Sequence, residues 1–136
     1  MTVSPWIVLT NTANPNPIQV NQATAVTADF LHNSSNGVLT TSQISRLIGL
    51  PVTWGSGVKG SLTNTQASIQ SNGTATATFT ASAAGVGNAP ATVDNGTANG
   101  NITINKADTT TTLVSQSPDP SVTGQPVTVN YSRMSA

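Results

Sequence analysis

Two proline-spaced turns, one domain length apart, constrain this chain more than any other feature. Asn14-Pro15-Asn16-Pro17, followed by Asn21-Gln22 and Val26, is echoed by Ser117-Pro118-Asp119-Pro120, then Gly124-Gln125 and Val129, at a constant offset of 103 residues. Self-similarity at a fixed period marks a repeat architecture, and a segment of roughly 100 residues is long enough to close a core of its own. A chain of 136 residues has room for one such repeat and the beginning of another. The expected layout is a first repeat over residues 1–106, a junction at Lys106-Ala107-Asp108, and the opening strands of a second repeat over residues 107–136.

Between the turns the side chains alternate with period two, which in a strand sends successive residues to opposite faces. Thr74 to Ala81 is the clearest case, with Ala75, Ala77, Phe79 and Ala81 between threonines. Gln22 to Leu31 puts Val26, Ala28 and Phe30 on one face, and Leu50 to Trp54 does so with Val52 and Trp54. Further strands are expected at Trp6 to Asn11, Gly60 to Thr63 with Leu62, Ala67 to Gln70, Ala89 to Asp94 with Val93, and Asn99 to Asn105 with Ile102 and Ile104. These inward residues form the expected core. Asn72-Gly73 and Asn95-Gly96 offer the positive φ of tight hairpins, while the Asn14 to Pro17 segment withholds two backbone donors and belongs at a bend or an edge. Seven to eight short strands at this spacing describe an all-β sandwich, with a barrel of the same strand count as the alternative. Thr41 to Leu50 departs from the pattern. Ile44, Leu47 and Ile48 follow helical spacing behind a capping Thr41 or Ser42, as a plug over one end of the core or an exposed contact patch.

Charge is scarce: four Lys or Arg and four Asp, no Glu, and a formal net charge of zero. Nucleic acid and anionic membrane surfaces are poor partners for such a chain, because both draw on clustered Lys and Arg. No stretch reaches the roughly 18 apolar residues of a membrane span, and Met1 to Thr10 lacks the basic start and apolar run of a secretory signal. With no cysteine there is no disulfide, thiolate or sulfur metal site.

The run Leu50-Pro51-Val52-Thr53-Trp54, then Gly60-Ser61-Leu62, then Ser71-Asn72-Gly73-Thr74-Ala75-Thr76-Ala77-Thr78-Phe79-Thr80, resembles the bacterial immunoglobulin-like repeats of invasin-type and intimin-type adhesins. Thr109 to Ser115, Pro118 to Val122 and Gly124 to Thr128 look like the start of a second, related type of bacterial immunoglobulin-like repeat. The resemblance implies an immunoglobulin-like sandwich in an extracellular or cell-surface protein, where many such units act as spacers and adhesion is confined to particular ones. The stretch Leu31 to Ile48 is an insertion relative to a compact repeat, and the cysteine pair and tyrosine corner of antibody domains are missing.

Catalysis has little to draw on. His32 is the one histidine, near Asp29, Ser34 and Ser35, and Asp29, Asp94, Asp108 and Asp119 are scattered, so no acid and base pair is expected. No cofactor is expected either. Calcium at the junction would have to gather Asp108 with Asp119 and Asp94, fewer carboxylates than a rigid site normally collects. Trp54 reads as core filler before a sugar-stacking platform, and Trp6 as the cover of an open end or a contact. Sequons at Asn33, Asn72, Asn95, Asn101 and Asn130 are common by chance in so Asn-rich a chain. The remaining candidate is the tail, whose Thr111, Leu113, Val127, Val129 and Tyr131 lie in two strands without a third. A strand pair alone in water is marginal, so these residues are expected to add to a sheet edge of another copy of the chain or of its own first repeat. A host receptor or glycan bound through the loop Leu31 to Leu50 is the alternative partner.

Overall fold

The structure, a computed structural model, describes residues 6–135. Residues 1–5 and 136, the outer limits of the two expected repeats, lie outside the described residues. The chain divides into two compact units, Met1–Lys106 and Ala107–Ala136.

The first unit is a two-layer β-sandwich, not a barrel. Its elements are β1 (Ile7–Asn14), β2 (Ile18–Gln19), β3 (Ala23–Asn33), α1 (Thr41–Ser45), β4 (Thr53–Trp54), β5 (Gly60–Thr63), β6 (Thr74–Ala81), β7 (Gly85–Asn88), β8 (Ala91–Val93), β9 (Gly96–Ala98) and β10 (Asn101–Asn105). One layer has the antiparallel order β1-β3-β6-β5, and the other combines β2-β10-β7 with β4-β8-β9. The two halves of the second layer are joined where Ala89 and Gly100 exchange backbone hydrogen bonds of 3.0 and 3.3 Å. Ten segments therefore stand where seven or eight were expected, because β1 and β2, β7 and β8, and β9 and β10 are runs interrupted by a short break. The first break has a clear cause. Pro15 and Pro17 stop β1 and carry the chain to the opposite layer, where β2 pairs parallel with β10. The Asn16 side chain replaces the missing ladder there, accepting from Thr103 N–H at 2.9 Å and donating to Asn101 O at 3.1 Å.

Alternation drives the packing. Thr24, Val26, Ala28 and Phe30 of β3 and Ala75, Ala77, Phe79 and Ala81 of β6 are buried, facing Val93 of β8 and Ile102 and Ile104 of β10. Val52 is buried as well, whereas Leu62 and Trp54 are half-buried. Phe79 sits at the centre, and glycines make room for it. A Cβ on Gly60 would strike the Phe79 ring and Thr80 O, and one on Gly87 would come within 3.1 Å of the same ring.

The β8–β9 turn differs from expectation. Positive φ falls on Asp94 (48°) and Asn95 (63°), and Gly96 pairs with Val93 as the closing residue. The hairpin is thus a two-residue type I′ loop one position earlier than Asn95-Gly96. Ala67–Gln70 is not a strand. It contributes an isolated bridge between Pro51 and Ser68, closed by backbone hydrogen bonds from Val52 N–H to Ala67 O and from Ile69 N–H to Leu50 O. Leu50–Trp54 likewise forms a ladder only at Thr53–Trp54. The helix starts one residue earlier than read, with Thr40 as N-cap in a reciprocal capping box with Gln43. Behind it Leu47 and Leu50 pack on the core, while Ile48 is exposed.

The second unit is an antiparallel hairpin of β11 (Thr109–Ser117) and β12 (Thr128–Ser135). Its turn-proximal register copies that of the first unit. Asn14 opposes Ala25, Ala13 opposes Val26 and Thr12 opposes Thr27; Ser117 opposes Thr128, Gln116 opposes Val129 and Ser115 opposes Asn130. Each pair is its counterpart moved by 103 residues.

Candidate functional site

In the first unit β3 is an inner strand, bonded to β1 on one side and to β6 on the other. Its counterpart β12 pairs with β11 alone among the described residues. The direction of the open hydrogen-bonding groups follows from the ladder. Phe30 N–H donates to Gly73 O beyond the start of β6. In a strand the polar groups of every second residue point to the same side, so Val26 and Ala28 also address β6. The residues 103 further on are Val129, Tyr131 and Arg133, whose N–H and C=O groups face the unoccupied edge.

The same residues carry an unoccupied apolar face. Val26 and Ala28 are fully buried in the sandwich, but Val129 is 53% and Tyr131 71% exposed. Leu113, directly opposite Tyr131 in the hairpin, is 58% exposed, and Val127 is 44% exposed. Opposed residues share a face and so do residues two apart on a strand, so Leu113, Val129 and Tyr131 form one apolar strip, with Val127 just before β12. Thr111 lies on β11 opposite Arg133 and is exposed. The five expected assembly residues are thus on one hairpin, four of them apolar and solvent-facing.

The first unit holds a second candidate at the end where β1 begins. Trp6 and Val38 are 65% and 76% exposed. Trp6 and Ser34 hydrogen-bond each other through Trp6 N–H to Ser34 Oγ and Ser34 N–H to Trp6 O. Beside them lies a cleft of about 330 Å³ lined by Ile7, Leu9, Phe30, Leu47, Leu50 and Val93, with Asp94 at its rim. A larger open cleft of about 570 Å³ lies between β4 and β5, with Val52, Trp54 and Leu62 in its wall. Trp54 is held there by its Nε1–H, which donates to Gln66 O at 2.9 Å. The indole packs against both core clusters, so it links the two ends of the core and is only partly available to a ligand.

Titratable groups are engaged structurally or dispersed. One Asp29 oxygen accepts from Thr10 Oγ1 at 3.0 Å and from Leu31 N–H at 3.1 Å, and His32 bridges to Val38 through its backbone. Among the described residues no three His, Asp or Glu side chains gather as metal ligands. Asn11 was not read as a site from sequence, yet its amide donates to Ala89 O at 2.7 Å and Ala98 O at 3.1 Å. It ties β1 to the break in the opposite layer, and an inward-facing asparagine gives no periodic signal by which to find it.

Neither a protein-family model nor a curated protein matches the chain. Solved structures do. The chain is similar to Yersinia pseudotuberculosis InvD at 26% identity and a TM-score of 0.51, over 78% of this chain and 31% of that one. It is also similar to the adhesin InvE of the same organism (24% identity, TM-score 0.47, 79% and 29% covered) and to domains 4 and 5 of the S-layer protein SbsC (11%, 0.44, 76% and 54%). This chain therefore spans under a third of the InvD and InvE structures. The strand order of this chain is that of an immunoglobulin fold: β1, β3, β6 and β5 make the ABED layer, and β4 with the β7/β8 and β9/β10 runs makes the CFG layer. The first unit is an immunoglobulin-like β-sandwich similar in fold to InvD, in line with the resemblance of its residue pattern to bacterial immunoglobulin-like repeats of the invasin type.

Proposed function

We propose that the chain is a non-catalytic, extracellular structural repeat of a surface fibre or stalk, joined to other copies by strand addition through the hairpin Thr109–Ser135. The observation that carries this reading is the outer edge of β12, bare of any ladder partner among the described residues although the equivalent edge of β3 is filled by β6. Exposed strand edges are templates for pairing with another chain, and proteins that avoid pairing guard them with charge, proline or a bulge. Within Thr128–Ser135 the one charge is Arg133, and there is no proline. Pairing of this edge with an edge elsewhere on a second copy is heterologous and propagates into a filament unless the rotation closes a ring. The surface location rests on the resemblance to invasin-type repeats. Removal of residues 109–136 is expected to leave a folded first repeat and to abolish polymers seen by negative-stain microscopy; polymers that persist refute the assembly role.

A second reading has its own observation, the exposed Trp6, Val38 and Ile48 (46%) at the end of the first unit that also holds the cleft beside Asp94. Such an end suits a receptor or glycan contact in an adhesin. Glycan-array binding by the monomer, lost on replacing Trp6 and Val38 by serine, supports it.

A further inference from the structure

We infer that the cleft between β4 and β5 binds a short stretch of a neutral oligosaccharide, held by backbone groups and hydroxyls around the exposed part of the Trp54 indole. The site is separate from the hairpin and from the Trp6 end, and its two walls are consecutive strands of the first unit. Both walls have backbone groups to spare. On the β4 side, Gly55 N–H donates to Pro90 O, while Val52 N–H turns the other way to reach Ala67 O. Residues two apart in a strand point their polar groups to the same side, so Trp54 N–H and C=O face away from β8 as those of Val52 do. The register that sets Pro51 opposite Ser68 brings Thr65 opposite Trp54. The pairing stops short of it, because Gln66 is drawn to the other layer, its N–H donating to Thr76 O. That same bond shows which residues of β6 address β5. Thr76, Thr78 and Thr80 do, with Thr63 and Ser61 as the partners of the last two, so Gly60 and Leu62 turn their N–H and C=O outward.

The lining selects a sugar. At about 570 Å³ the cleft falls in the range of roughly 300–1,000 Å³ that small ligands occupy. None of its residues is charged, so an ionic ligand would lose its hydration without gaining a counter-charge. Among the described residues the hydroxyls of Thr53, Ser56, Ser61 and Thr65 have no hydrogen-bond partner. Each both donates and accepts, and together with the open backbone groups they match the hydroxyls of a pyranose. Trp54 and Leu62 are half-buried and give its C–H face an apolar wall. The indole is already fixed by its bond to Gln66 O, so little side-chain freedom is lost on binding. A peptide strand, the other guest of an open edge, draws its affinity from a run of main-chain bonds. Here β5 turns only Gly60 and Leu62 outward, and the backbone is left-handed on either side, at Lys59 (φ 58°) and Asn64 (φ 50°). The edge is too short for a ladder.

The test uses the 136-residue protein, isotope-labelled and titrated with cellotriose, maltotriose, mannotriose and tri-N-acetylchitotriose. Saturable shifts of the Trp54, Gly60 and Leu62 amides and of the Trp54 indole N–H are expected with at least one of them, and none with trigalacturonic acid. Ser61 and Thr65 are exposed, so Ser61→Arg and Thr65→Arg should leave the fold intact, as checked by unchanged Val26 and Phe79 amide signals. Each is expected to weaken binding about tenfold or more, the equivalent of one lost hydrogen bond and a blocked wall. Trp6→Ser is expected to leave binding unchanged. No shift with any of the four neutral trisaccharides overturns the inference, as do shifts confined to the Trp6 end, equal binding of trigalacturonic acid, or shifts unaltered in both arginine variants. A capped, uncharged Thr-Val-Thr-Val peptide that gives the same shifts at lower concentration than the sugars also overturns it, in favour of a strand.

Discussion

Phe79 shows what single residues contribute. It is fully buried where the two layers meet, and truncation of a buried phenylalanine costs about 3–5 kcal/mol. Phe79→Ala is therefore expected to leave the first unit barely folded, as read from urea denaturation; a loss below about 1 kcal/mol would mean the ring is not the centre of the core. Asn11→Ala should cost about 1 kcal/mol, since Ala89 O and Ala98 O lose the amide while Ala89 O keeps the Gly100 N–H, and an unchanged midpoint would show that water replaces the amide. At the β8–β9 turn, Asn95 holds a φ of 63°, which a β-branched residue resists. Asn95→Val should destabilise by about 1–3 kcal/mol and Asn95→Gly should not. The alternating residues of β6 were legible because period two maps directly onto inside and outside. Asn11 was not, because its place depends on two carbonyls distant in sequence, and the turn slipped by one residue because Asp94 and Asn95 tolerate positive φ as well as Asn95-Gly96 does.

Among elements, legibility follows length. β3 and β6 have eleven and eight residues and repeat their pattern long enough to define a face. Ala67–Gln70 looked like a strand over four residues, but Gln66 before it and Ser68 within it are drawn into other bonds, Ser68 O accepting from the Gln70 side-chain amide at 2.8 Å. Gln66 N–H donates to Thr76 O, and its side-chain oxygen accepts from Thr76 N–H at 2.9 Å. The helix α1 was expected from Ile44, Leu47 and Ile48, of which only Ile44 lies within it, and Thr40 rather than Thr41 or Ser42 caps it, because the box needs Gln43 at the third helical position. Thr40→Ala is expected to lower stability by about 1 kcal/mol, measured by thermal unfolding; no change would show that Leu47 and Leu50 alone hold the plug. The candidate edge was legible as two strands lacking a third. Its register and the outward side of Val129 and Tyr131 were not, since they follow only from comparison with the ladder of β3.

At the scale of the whole molecule, the first unit contains both layers of a sandwich and the second only a hairpin. Met1–Lys106 is expected to melt at the same temperature with or without residues 107–136, because its core clusters draw on no residue beyond Ile104; a drop of more than a few degrees would show that the hairpin completes the first core. Solubility rests on Thr, Ser and Asn rather than on charge, so association through β12 meets little electrostatic opposition.

Amide hydrogen exchange at matched positions of the two units tests the open edge most directly. Val26 and Ala28 should exchange only on global unfolding, while Val129 and Tyr131 exchange rapidly in dilute monomer and gain protection as concentration rises. Slow exchange of Val129 and Tyr131 in dilute monomer, or no gain in protection as concentration rises, contradicts assembly through this edge.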